Sequence, residues 1–310
     1  MRVGAVDEPT LTDVQYRMFR DWIAERSGLW FTPESRFVLE RRLARRVRAL
    51  DLGSFAAYFL QLRSNATDDG EIGALFDELT TNETYFLRER AQLNALVTEI
   101  LPEWVERRRR SGGPVSIWTA GCSSGEEPYS VVMLAREAGF EPGRDFRVYA
   151  SDLSRRVLQL ARRGVYRANA FRETEDAMRA KYFVEKDGAW RIHDDIKRHV
   201  VFTRANLMDP TTTGVLGAMD VILCRNVIMY FDTPVRTRVV QSFADKLNPG
   251  GYLLLGHAES LIRVSSAFEL HHLRGDLVYR KPLPGAEIPD PRHAAARAAI
   301  AFVDDEEALS

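Results

Sequence analysis

Between residues 10 and 80 the apolar positions recur every three or four places, the spacing of helices that each bury one stripe. Thr12 or Asp13 can cap a first helix carrying Val14, Met18, Phe19, Trp22 and Ile23, and Gly28 can end it. Thr32 and Pro33 start a second, with Leu39, Leu43, Val47 and Leu50 along one stripe. A third follows Ser54 through Phe55, Tyr58 and Phe59, and a fourth holds Ile72, Leu75, Phe76 and Leu79. A polar and aromatic connector, TNETYFLRE, occupies 81–89, and helical spacing returns over 93–105.

From Val115 onward the pattern changes. Short apolar runs at 115–119, 146–150, 200–202, 220–223 and 252–255 alternate with helical spacings, which predicts an α/β domain built on a doubly wound, mostly parallel sheet. At about 171–201 the alternation is interrupted by a helical piece (174–182) and a β-hairpin around Lys186, Asp187 and Gly188. A last hairpin around Arg274, Gly275 and Asp276 completes the sheet. The chain therefore divides into a helical domain at 1–80, an α/β domain at 81–281 with an insertion at about 171–201, and a flexible tail at 282–310.

Composition narrows the class without naming a function. The 310 residues are 45% hydrophobic and 28% charged, as in an ordinary globular protein with material for about two domains. Lys and Arg number 43 against 44 Asp and Glu, so the net charge of −1 gives no global affinity for nucleic acid. Charge is nevertheless uneven: Arg36, Arg41, Arg42, Arg45, Arg46 and Arg48 crowd the second helix, about 33–50, and would suit an acidic partner. Cys122 and Cys224 match no metal spacing, so neither a disulfide nor a metal is expected. No segment is long enough to span a bilayer, and a cytoplasmic monomer is expected.

The candidate chemistry collects at the carboxyl ends of the strands, where such folds bind ligands. The first strand runs into AGCSSG and then a helix opened by Glu126, Glu127 and Pro128. The second ends on Asp152, the position that hydrogen-bonds a ribose, although a helix cap would also place an acid there. Asn206 and Leu207 end a third, and Arg225 and Asn226 follow a fourth. His257, Glu259 and Ser260 lie at the crevice edge, and Asn82, Thr84 and Arg88 offer polar groups from the connector. A dinucleotide would need G-x-G-x-x-G, but only Gly121 and Gly125 are present and two carboxylates sit where its phosphates would lie. Acids there suit S-adenosylmethionine, which is cationic and has a ribose but no phosphate.

GCSSGEEPYS, ASD, the NL pair, CRNVIMYF and NETYFLR together resemble the chemotaxis receptor methyltransferases, the CheR family, over roughly residues 10–281. The resemblance implies S-adenosylmethionine-dependent methylation of glutamates on the cytoplasmic helices of chemoreceptors, with S-adenosylhomocysteine as product. By motif, Asn82, Thr84, Arg88, Glu126, Asp152, Asn206, Leu207, Arg225 and Asn226 would hold the cofactor. Tyr230 is the candidate to lie near the accepted carboxylate, with Arg88 second. The arginine helix would meet the receptor. Members that bind a receptor's C-terminal pentapeptide carry a longer, glycine-bearing hairpin loop, so the short loop here points away from such a tether. A non-catalytic receptor-binding or cofactor-sensing module, and a methyltransferase for another substrate, are the alternatives.

Overall fold

The structure, a computed structural model, describes residues 10–64 and 69–285. The N-terminal domain is a bundle of α1 (Asp13–Ser27), α2 (Arg36–Ala49), α3 (Phe55–Ser64) and α4 (Asp69–Leu79). Thr12 caps α1 through a reciprocal capping box with Gln15, and Gly28 ends it in the left-handed conformation at φ 78°. Phe19 is the centre of the bundle, with Phe55, Tyr58 and Phe59 around its ring at centroid distances of 5.0–6.4 Å. Two details differ from expectation. Val14 and Met18 are exposed, because Tyr16, Phe19, Trp22 and Ile23 form the buried stripe instead. The second helix begins as a tight turn at Pro33–Ser35 and becomes α-helical only at Arg36.

Helices α5 (Arg90–Ala95) and α6 (Leu101–Ser111) lead into the α/β domain through a wide turn at Leu96–Ile100. There the Leu101 N–H reaches back to the Leu96 carbonyl. Pro102 has no N–H for the ordinary ladder, which makes such a local widening tolerable. The strands are β1 (Val115–Ala120), β2 (Phe146–Asp152), β3 (Val165–Tyr166), β4 (Phe183–Lys186), β5 (Ala189–Ile192), β6 (Val200–Arg204), β7 (Met219–Cys224), β8 (Leu247–Leu255), β9 (Glu269–Leu273) and β10 (Asp276–Arg280). Seven form one sheet in the order β6-β2-β1-β7-β8-β10-β9. The first five pair in parallel, and the closing hairpin of β9 and β10 adds antiparallel strands. Between them run α7 (Glu126–Glu137), α8 (Arg155–Arg163), α9 (Asp176–Tyr182), α10 (Asp194–Lys197), α11 (Pro210–Gly214) and α12 (Thr233–Lys246). Apolar strand residues alternate between two cores. Ile117, Val148 and Leu223 pack with residues of α7, while Trp118, Ile222 and Leu253 pack with Val239, Val240 and Phe243 of α12.

The insertion is a three-stranded sheet, β3-β5-β4, rather than a lone hairpin. The two-residue β3 is too short to leave a pattern in the sequence. Its inner face carries an aromatic cluster in which Phe86 of the connector meets Tyr166, Phe171 and Phe183 at 4.7–5.1 Å. The insertion thus anchors the connector as well as extending the surface.

One buried ion pair ties α6 to the sheet at the end away from the crevice. Arg108 donates two hydrogen bonds to the fully buried Asp220 at 2.7 and 2.9 Å, and Ser116 N–H and the Asn248 amide complete its shell. Arg108→Met should lower unfolding free energy by about 3 kcal/mol, because the carboxylate stays buried without its cation. Urea denaturation checks this, and a loss below about 1 kcal/mol would show that the other donors suffice.

Candidate active site

A cleft of about 990 Å³, its mouth included, opens at the carboxyl ends of β1, β2, β6 and β7. It lies where the strand order reverses between β1 and β7, the place this architecture leaves open for ligands. Thr80 lines it just before the connector, which contributes Thr81, Asn82, Glu83, Thr84, Tyr85 and Arg88. The helical domain supplies a wall through Ser27 and Leu29, a contribution that nothing in the sequence pattern announces. Trp30 N–H bonds the Tyr230 carbonyl at 2.8 Å, Leu29 bridges Phe231, and the Asn206 amide donates to the Arg26 carbonyl at 2.6 Å. Asp77 of α4 accepts from Ser154 Oγ at 2.6 Å and from Arg156 N–H at 3.1 Å, closing the seam.

The chemistry of the cleft is acidic. Asp152 ends β2 and accepts Ser123 N–H on one oxygen and Ser154 N–H on the other, each at 2.9 Å. Burial raises its pKa despite these donors. Ser154, rather than Asp152, is the cap of α8. Glu127 faces Arg225, whose side chain is 2% exposed and sits between two carboxylates, Glu127 at 3.1 Å and Glu89 at 3.0 Å. Burial raises Glu127 and Arg225 only partly offsets it. For Glu89 burial acts in the same direction, but Arg225 and His257 outweigh it and hold the carboxyl low. Arg225 Nη2 also donates to the Arg88 carbonyl at 2.5 Å. It therefore organises the acids and the connector rather than offering a free cation.

Of the residues read as cofactor ligands, Asn82, Thr84, Arg88, Asp152, Asn206, Leu207, Arg225 and Asn226 all line this cleft, as does Tyr230 at its mouth. Glu126 does not. Its side chain is buried off the cleft and accepts from Ser124 Oγ, and burial pushes its pKa up to about 7. Glu127, one residue and about 100° further round α7, takes the lining position. Two adjacent acids at a helix start are equivalent until the helical phase is known. The Asn206 amide is engaged within the fold, donating to Arg26 and accepting Met208 N–H. Arg88 as a residue is partly buried, and its guanidinium donates to the Glu83 carbonyl at 3.3 Å. Tyr85, Ser123, Leu153 and Phe231 also line the cleft and were not singled out by sequence.

The backbone around the cleft is bent in ways that ordinary side chains resist. Leu87, Glu89, Ser123 and Asn226 all have positive φ, between 48° and 62°. Gly121 is required beside them: a Cβ there would lie 2.4 Å from Val227 Cγ2.

Comparison with known proteins decides the family. Residues 82–275 match the SAM binding domain of the CheR methyltransferases, and residues 15–80 match their all-alpha domain. The chain belongs to the CheR methyltransferase family. It is 40% identical to chemotaxis protein methyltransferase 2 of Vibrio cholerae over 282 residues, 90% of this chain and 97% of that one. It is 35% identical to the chemotaxis protein methyltransferase of Escherichia coli, covering 87% of this chain and 91% of the other, and 34% to that of Salmonella typhimurium, covering 87% and 90%. The CheR domain boundary at 80–82 falls on the end of α4 and the start of the connector.

The six arginines of α2 have different surroundings. Arg36 bonds Asp13 and the Leu11 carbonyl, and Arg46 pairs with Glu71, which also accepts from Tyr58. Arg42 bonds the Leu79 carbonyl and Thr81 at the root of the connector. Arg45 pairs with Glu78 at 2.6 Å. Arg41 and Arg48 are exposed, and Phe37, one turn before Arg41, is exposed as well. The basic stripe is thus partly a clamp on α4, and its outward face is narrower than the sequence suggests.

Proposed function

We propose that this CheR-family chain methylates glutamate side chains on the cytoplasmic helices of chemoreceptors, giving glutamyl methyl esters. The observation that carries this reading is an acidic cleft at the carboxyl ends of the strands, lined by Glu127 and Asp152, with Tyr230 at its mouth and the exposed Arg41 on α2 of the adjoining helical domain. The chemotaxis names of the relatives agree with it.

The donor set of the cleft fits S-adenosylmethionine. Asp152 has both oxygens fixed by backbone N–H groups and would take the ribose hydroxyls. Glu127 would face the cationic end, Arg88 would meet the carboxylate of the methionine part, and Leu153 and Leu207 would flank the base. The cofactor supplies a methyl group on a positively charged sulfur. An acceptor glutamate is ionised at neutral pH, with a pKa of about 4.3, so no residue has to remove a proton. The chain has instead to align the carboxylate and strip its water. Tyr230, with its hydroxyl-bearing ring 36% exposed at the mouth, orients that carboxylate by a hydrogen bond weak enough to release it.

Incubation with radiolabelled S-adenosylmethionine and a receptor cytoplasmic fragment tests the reading. Label released as methanol by mild base is expected of an ester, and label that survives base would overturn it. Arg41→Glu should slow receptor methylation by about tenfold at low salt, less at high salt, with cofactor affinity unchanged. An equal loss of cofactor affinity would make the helix purely structural.

A further inference from the structure

We infer that Glu259 is a positioning residue for the transfer step, holding the loop from Asn226 to Tyr230 by its backbone. This rests on the methyl-transfer reading and adds a residue to it. The loop leaves β7 through Asn226 at φ 59° and turns at Ile228–Tyr230 with no side-chain cap of its own. Its leading N–H groups would be unpaired in such a turn. Glu259 lies beyond the end of the neighbouring strand β8 and reaches across. Its Oε2 accepts Asn226 N–H at 2.6 Å and Gly256 N–H at 2.9 Å, while Oε1 accepts Met229 N–H at 3.1 Å. Both oxygens therefore face donors.

Two glycines make the same loop tightly seated. A Cβ on Gly256 would stand 2.5 Å from Asn226 Nδ2 and 3.0 Å from its backbone nitrogen, and Gly121 abuts Val227 on the other side. The far end of the loop is tied to the helical domain through Trp30 and the Tyr230 carbonyl. Arg236 Nε donates to the Ile228 carbonyl in the middle of the loop at 3.2 Å, while Glu259 grips the near end, four residues before Tyr230. Glutamine is not a conservative replacement. Either orientation of its amide places an NH₂ against an N–H donor, which breaks at least one bond and pushes the loop away.

The test is a double-mutant cycle on Glu259→Gln and Tyr230→Phe, read by methyl transfer and by calorimetric binding of S-adenosylmethionine. Glu259→Gln should lower kcat by about 10- to 100-fold, the scale of an ångström-sized misplacement, while cofactor Kd changes by less than about threefold. In the Tyr230→Phe background the further loss should shrink to about threefold or less, because the group being positioned is gone. Losses that multiply in full, an unchanged kcat, or a Kd loss matching the kcat loss would each overturn the inference. If Glu259→Gln does not fold by circular dichroism, Gly256→Ala crowds the same loop while keeping the carboxylate. It should give the same kcat-selective loss, and wild-type turnover in Gly256→Ala would overturn the inference. The wild-type rate and the base lability of its product test the methyl-transfer reading separately.

Discussion

Arg225→Met should destabilise the folded chain by about 3–5 kcal/mol and abolish measurable cofactor binding. The side chain is 2% exposed and stands between Glu89 and Glu127, with the Arg88 carbonyl as a further acceptor. Methionine fills much of the volume but leaves two largely buried carboxylates facing each other. Burial already raises Glu127 while Arg225 is present, so its loss drives that carboxyl further toward the neutral form. The connector loses its hold at the Arg88 carbonyl, and the residues it carries into the cleft move with it. Urea unfolding and calorimetric titration with S-adenosylmethionine give the two readouts. A loss near 1 kcal/mol with binding intact would mean that water reaches the two acids and replaces the guanidinium.

Glu126→Gln should do the opposite above neutral pH, raising stability by up to about 3 kcal/mol while leaving cofactor affinity unchanged. The native carboxyl is pushed up to about 7 by burial, against an ordinary value of 4.5. A folded-state pKa above the unfolded one favours the native state fully below pH 4.5. That contribution is lost as pH rises through about 7, where the buried group must ionise. The wild type should therefore lose stability across this window relative to the glutamine variant, whose profile lacks this component. Melting temperatures from pH 5 to 8.5 measure the difference. Glu127→Gln supplies the contrast, since its carboxylate lines the cleft and affinity should fall. Equal affinity losses in the two variants would contradict the assignment of Glu126 to the interior.

These variants also mark where sequence stops being informative. Strong local signals were legible: a helix start at Thr12 or Asp13, the strand of 115–119, the closing hairpin and the interrupted alternation near 171–201 all correspond to observed elements. Residues at strand ends were legible too, because a parallel sheet sends those positions to one crevice, and Asp152, Asn206 and Arg225 meet there. Choosing between Glu126 and Glu127 needed the rotational phase of α7, which one turn of sequence does not contain. The roles of Arg42 and Arg46 needed their partners, residues about 25–40 positions away, whose proximity no local pattern encodes. Glu259 was visible as a polar residue at the crevice edge, but its acceptors' partners are backbone N–H groups of another segment. The expected tail at 282–310 lies mostly outside the described residues.

The seam between the helical domain and the cleft has a thermodynamic corollary. Ser27 and Leu29 are walls of the cleft, and Trp30 holds the carbonyl of Tyr230. On the proposed docking of a receptor helix at α2, occupancy of the cleft and occupancy of that outer face would both act on this one seam rather than on two independent modules. Any free energy by which a bound helical partner tightens that seam is returned as tighter donor binding, and the reverse holds by the same amount. A methyl donor and a methyl acceptor that must meet at Tyr230 would in this way each report the arrival of the other before they touch.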